Sequence, residues 1–166
     1  MNILTYASPV GIRPSRKWAL SLYKQTETYS NFNETGEGVL MLLRQKHSKL
    51  VHVLGGQSSR DVDKRRECED LGFKWGRVGP DLVKSGCSPY LELLPDCAVY
   101  YRVVRCEPMI DAGDHDVVIV RIEGIWEPEG DGGEEGDTRH MYTGFLREKN
   151  IISSAGRANP KEEHVQ

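Results

Sequence analysis

Cys97-Ala98-Val99-Tyr100-Tyr101-Arg102-Val103-Val104-Arg105-Cys106 and Asp116-Val117-Val118-Ile119-Val120-Arg121-Ile122-Glu123-Gly124-Ile125 decide the fold class. The first puts Val99, Tyr101 and Val103 on one face and Tyr100, Val104 and Cys106 on the other, as an extended chain does. The second repeats the pattern with Val117 and Ile119 against Val118, Val120 and Ile122. Between them, Ile110-Asp111-Ala112-Gly113-Asp114-His115-Asp116 has the Asp and Gly content of a hairpin turn. The second half of the chain therefore reads as antiparallel sheet.

Downstream, Pro128 to Asp137 is acidic and Gly-rich and reads as a mobile loop. Met141 to Lys149 fits a last short helix or strand. The tail 153–166 has almost no apolar residues and reads as disordered, which leaves one domain over residues 1–152. Upstream, residues 73–96 predict short strands and turns. Asp61 to Leu71 predicts a charged helix ended by Gly72, and Ser48 to Val53 another with Leu50, Val51 and Leu54 as its apolar face. Val39 to Leu43 is a continuous apolar run, short enough for a fully buried strand. Lys17 to Tyr23 alternates as a strand and runs into Lys24-Gln25-Thr26-Glu27-Thr28, read as its polar end. Thr28 caps a short helix to Glu34, closed by Gly36. Ile3 to Ala7 begins as a strand, turned by Ser8-Pro9-Val10-Gly11. Several short strands with a few short helices predict a mainly β fold, a small antiparallel Greek-key-like barrel.

Gly55-Gly56-Gln57-Ser58-Ser59-Arg60-Asp61-Val62-Asp63-Lys64 is the stretch with chemical content. Two glycines loosen the backbone, and Ser58 or Ser59 can cap a helix carrying Asp61 and Asp63 in its first turn. Serines, an arginine and a helix start are also a seat for a phosphate. The alternative is an ordinary capped surface helix. Neither a P-loop nor a dinucleotide fingerprint is present.

A net charge of -3 gives no basic footprint for nucleic acid. No apolar run is long enough to cross a bilayer, and no leader precedes the first strand, so the expectation is a cytoplasmic protein without membrane contact. Cys68, Cys87, Cys97 and Cys106 are widely spaced, as suits reduced thiols. The histidines have no metal-ligand spacing, and no protein-held metal is expected.

Four segments in this order, Asn2-x-x-Thr5 with Ser8-Pro9-Val10, Lys24-x-Thr26-x-Thr28, Ser58 to Lys64 and Gly113-Asp114-His115, resemble the flavin reductase-like family over about Asn2 to Ile152. That family forms FMN-binding split β-barrels, usually homodimers. Two departures stand out. Family members carry a further strand or hairpin before the Asn-x-x-Thr segment, where Met1 alone stands here. Their loop reads Ser-Gly-Arg-Asp, where Ser59 replaces the glycine.

The resemblance implies FMN, or FAD, as cofactor, with NAD(P)H as electron donor. It implies an isoalloxazine slot at Thr5, Tyr6, Ala7 and Ser8, and a phosphate seat built from Lys24, Thr26 and Thr28 facing Ser58, Ser59 and Arg60, with Lys64 behind. Lys24, Thr26 and Thr28 would point one way along the strand, and Lys24 and Arg60 would converge on the phosphate. His115 would lie near the flavin as the candidate catalytic residue. On residue type alone, Lys24 is equally a solvated lysine, the threonines strand formers and His115 an exposed turn residue. A homodimer would cover the second faces of 97–106 and 116–125, which a monomer would expose. The implied activity is electron transfer from NAD(P)H through a bound flavin. The alternatives are a non-catalytic split barrel that holds flavin, haem or a protein, and a relative of the pyridoxamine phosphate oxidases.

Overall fold

β-branched and aromatic residues place the strands, and glycine, proline and capping side chains set their limits. A computed structural model describes residues 1–4, 6–79, 83–84, 86–89, 91–128, 140–154 and 158–159. In chain order these form β1 (Ala7–Gly11), β2 (Lys17–Tyr23), α1 (Glu27–Thr35) and β3 (Glu37–Leu42). A 3-10 turn (Gln45–Leu50) runs straight into α2 (Val51–Gly56), followed by α3 (Lys64–Asp70), β4 (Gly76–Arg77) and β5 (Glu92–Leu93). β6 (Val99–Arg105), β7 (Ile110–Asp111), β8 (His115–Trp126) and α4 (Thr143–Glu148) complete the described chain.

The main sheet runs β1-β2-β8-β6-β3, with β7 also paired to β8. Every pairing is antiparallel, and β1 and β3 remain as edges, so this is an open, split barrel. β8 is its spine. From Tyr23↔His115 to Lys17↔Arg121 it pairs with β2, and from Arg105↔Val120 to Tyr100↔Trp126 with β6. Opposite Arg102 and Val103 the register skips Glu123, a bulge that bends β8.

Alternation then sorts side chains between two cores. Val118 and Val120 are fully buried with Leu20, Leu22, Val103 and Phe32. Tyr100, of the opposite parity to Val103, packs with Leu50, Leu54, Leu94 and Cys97 under the helices. Tyr100 OH donates to Leu94 O at 2.7 Å, so the ring is buried without an orphaned hydroxyl.

Several expectations are corrected. The first strand is not Ile3 to Ala7; it is Ala7–Gly11, through the residues read as a turn. Pro9 is tolerated because β1 is an edge and its pairing slips between Pro9 and Gly11. The preceding segment lies instead against α2, with Ile3 N donating to Leu54 O at 3.4 Å. β3 is strand as expected but half-buried throughout, because it too is an edge. The helix expected at Ser48 starts earlier, at Gln45, because His47 accepts from Arg44 N at 3.0 Å and closes the turn. The faces expected to await a partner are covered in part within the chain: Tyr100, Val118 and Val120 are buried, while Val104, Cys106 and Ile122 are half-buried. The expected loop over 128–137 lies almost wholly outside the described residues. Of the tail, residues 153, 154, 158 and 159 are described: Ala158 bridges to Ile152, and Asn159 N donates to Ile151 O at 2.9 Å.

Candidate functional site

Gly55 and Gly56 end α2 and do not form a loop; neither takes a positive φ. The turn that follows is built on Ser58. Its Oγ accepts from Arg60 N at 3.2 Å, and its carbonyl accepts from Asp61 N and Val62 N. With Ser58 committed to its own turn, the cap of α3 falls to Asp63, whose carboxylate accepts from Arg65 N at 3.1 Å and Arg66 N at 3.2 Å. The expected helix from Asp61, capped by Ser58 or Ser59, thus begins at Lys64.

This turn forms one wall of a cleft of about 570 Å³ that contains Ser59, Arg60, Asp61, Asp63 and Lys64. Glu27 and Asn31, one helical turn apart on α1, form the facing wall, with Trp75 beside them. Arg60 is exposed and, among the described residues, makes no ion pair. Lys64 is buried and donates from Nζ to Leu54 O at 3.1 Å. Burial holds its pKa below the ordinary lysine value. A guanidinium, a buried ammonium and the Ser59 hydroxyl fit a phosphate, which needs donors and positive charge.

The Lys24 segment is arranged differently from the expectation. β2 stops at Tyr23, so Lys24, Thr26 and Thr28 do not alternate along a strand. Thr26 is the α1 cap: its Oγ1 accepts from Tyr29 N at 3.1 Å and donates to Tyr23 O at 2.8 Å. Thr28, expected as the cap, lies half-buried in the first turn, two residues beyond the cap Thr26. Lys24 Nζ is 2.7 Å from Asp111 Oδ1 and 3.1 Å from Asp116 Oδ1. Lys24 is therefore claimed by two carboxylates, and it does not line the cleft with Arg60.

Tyr29 OH donates to Asp116 Oδ2 at 2.8 Å and completes the cluster. The Lys24 bond holds the Asp111 carboxyl below its usual range; Asp111 in turn raises Lys24, and Asp116 raises Tyr29. Sequence reading missed Asp116, although a signal was present. It shares the parity of Val118 and Val120, so an acid stands at an inward position. Tyr29, Asn33, Arg105 and Asp116 line a second cleft of about 640 Å³. Tyr29 and Asn33 lie on a different face of α1 from Glu27 and Asn31, so the helix separates the two clefts.

Tyr6 and Ala7 are exposed and Ser8 half-buried at the start of β1, where Ser8 pairs with Ala19. Thr5 lies outside the described residues. His115 opens β8; its Nδ1 is 2.8 Å from Asp114 Oδ1, and its ring stacks on Tyr23 at 5.1 Å. Among the described residues no group of His, Cys, Asp or Glu could hold a metal, and no helix is long and apolar enough to cross a membrane.

Comparison with known proteins gives these features a family. The structure resembles an FMN-binding protein of Thermus thermophilus at 21% identity and TM-score 0.59, covering 79% of this chain and 65% of that one. It resembles an FMN-binding domain of a flavin reductase-like enzyme of Shewanella baltica at 16% identity and TM-score 0.59, over 82% and 70%. An NADH:FAD oxidoreductase of Streptomyces globisporus, in complex with NAD and FAD fragments, matches at 11% identity and TM-score 0.56, over 75% and 64%. The chain thus spans about two-thirds of the length of these structures. No curated protein sequence matches significantly. The family model of the flavin reductase like domain matches residues 3–145, almost the whole of the sheet and both clefts, and the chain belongs to that family.

Proposed function

We propose that the chain binds FMN, or FAD, and passes electrons from NAD(P)H through it. The observation that carries the reading is the cleft that joins Ser59, Arg60 and Lys64 to the start of α1. It supplies donors of both kinds for a phosphate, within a family whose solved relatives are named for FMN or FAD. Bound flavin would supply the hydride and electron chemistry, and the protein would bind it, orient it and set its electrostatics. Ser58 orders the turn that presents Arg60. Thr26 fixes the first turn of α1, in which Thr28 follows the cleft residue Glu27. Tyr6, Ala7 and Ser8, at the edge of the sheet, suit the pyrimidine edge of the ring, with Thr5 preceding them. His115 pairs with Tyr23 at the C-terminal end of β2, the end that the start of β1 also borders, and is the candidate pocket histidine. Lys24 takes a different part from the one the resemblance implied. Paired with Asp111 and Asp116, it ties β7 and β8 to the end of β2 and so steadies the floor of the region.

The reading includes a cytoplasmic homodimer. The absorbance spectrum of the native protein tests it: flavin bands, with FMN or FAD released on denaturation, and NAD(P)H consumed on mixing, are expected. A colourless protein that takes up neither flavin would overturn it. Flavin bound without nicotinamide oxidation would favour the non-catalytic module.

A further inference from the structure

Of the lysines and arginines on the strands of the main sheet, Arg105 alone has no counterion among the described residues. Lys17 meets Glu107, Arg102 meets Glu37 and Arg121 meets Glu123. The carboxylates beside Arg105 are thereby spent: Glu37 pairs across from Val104, and Glu107 lies two residues on. Arg105 is nevertheless held in place. Its backbone N donates to Gly36 O at 2.7 Å, and its guanidinium lies over Gly36, where a side chain would meet it at 3.8 Å. One guanidinium N–H donates to Asn33 Oδ1 at 3.3 Å. The other guanidinium donors and the Asn33 amide N–H groups have no partner among the described residues.

These donors line the cleft of about 640 Å³, together with Tyr29, Asp116, Pro108 and Met109. Tyr29 stands one turn of α1 before Asn33, which places a second polar point roughly 6 Å along. The charge there is opposite. Tyr29 OH donates to the buried Asp116, and Asp111 and Asp116 share the one ammonium of Lys24. Lys24 approaches Asp116 Oδ1 outside hydrogen-bond geometry, and that oxygen accepts no hydrogen bond among the described residues. The cleft is thus positive at Arg105 and negative at Asp116. A simple anion would meet Asp116 as a like charge, and a simple cation would meet Arg105. A molecule that carries both charges finds an opposite charge at each end.

We propose that this cleft binds a small zwitterion, an amino acid whose carboxylate pairs with Arg105 and Asn33 and whose ammonium donates to the Tyr29 hydroxyl oxygen beside Asp116. A planar guanidinium next to an amide matches the two oxygens of a carboxylate. The one-turn spacing suits charges several atoms apart, as in an ω-amino acid, better than the adjacent charges of glycine. Pro108 and Met109 suit the methylenes between them. Because α1 separates this cleft from the one at Arg60, the inference stands whether or not flavin binds there.

The test is titration of the full chain, labelled with nitrogen-15, by 5-aminopentanoate, pentanoate, pentylamine and glycine, read by amide chemical shifts. 5-Aminopentanoate should give saturable shifts in α1 and residues 105–109, and the other three should bind about tenfold more weakly or less. Arg105→Gln should lower its affinity about tenfold. Asn33→Asp, which sets a carboxylate against the guanidinium, should do the same with the fold intact. FMN should leave the affinity unchanged. Absence of saturable shifts in the parent would overturn the inference, as would shifts confined to the Arg60 cleft. So would equal binding of any of the three analogues, or an Arg105→Gln variant that binds like the parent.

Discussion

Arg60 and Lys24 carry the same charge, and their surroundings separate their uses. Arg60 projects from a serine-built turn and, among the described residues, makes no ion pair, whereas Lys24 is held by two carboxylates. Charge-assisted hydrogen bonds contribute roughly 1.5–3 kcal/mol each, so Arg60→Ala should weaken FMN binding about ten- to a hundredfold. Riboflavin should bind variant and parent alike; equal losses for the two flavins, seen by fluorescence quenching, would make the turn structural. His115 is half-exposed and stacked on Tyr23. His115→Ala should lower NAD(P)H oxidation or flavin affinity with the fold intact by circular dichroism, and an unchanged rate and affinity would return it to the exposed turn residues. His47 is a different kind of histidine. It is fully buried between Arg44 N and Pro95 O, and burial lowers its pKa. The unfolded chain therefore binds the proton first, and stability should fall as pH drops from about 6.5 through the folded value, by at most about 1.4 kcal/mol per pH unit. His47→Gln should flatten that slope in urea titrations at stepped pH.

At the scale of elements, two helices that border the cleft start at side-chain caps, Thr26 for α1 and Asp63 for α3. Replacing either by alanine should cost about 1 kcal/mol, or about 2–4 °C in melting temperature for a chain of this size. Thr26→Ser should restore the loss, since the hydroxyl is the capping atom. If Thr26→Ala melted like the parent and only lost flavin, the threonine would be a ligand and not a cap. The glycine that closes α1 is equally local in its reason. Gly36 stands at φ +70°, a conformation that other residues enter only with strain.

At the scale of the molecule, the open question is what meets the outer face of the sheet. Register partners share a face, so Ile110, Val117 and Ser21 lie together, next to Ile119, Ala19 and Ser8. Ile110 is exposed, and Val117 and Ile119 are half-buried. The proposed homodimer would use this face, and not the faces that the chain itself covers. Light scattering of the flavin-loaded protein at micromolar concentration should give the mass of a dimer, and Ile110→Glu should shift it toward the monomer. A monomeric parent would remove the proposal.

The sequence by itself determined the class of the fold, because alternation in 97–106 and 116–125 and a gapless apolar run at 39–43 are properties of a few neighbouring residues. It determined β2, the closing of α1 by Gly36 and the family, whose motifs are local too. It did not determine where Ala7 to Gly11 went: a proline and a glycine read as a turn until an edge strand gives them a place that needs no donor from Pro9. Nor did it assign Lys24. Which anion meets a lysine depends on β7 and β8 arriving from residues 110–126, and only the tertiary structure brings Asp111 and Asp116 to it. The same holds for Lys64, whose burial is a matter of what surrounds it and not of its position in the chain.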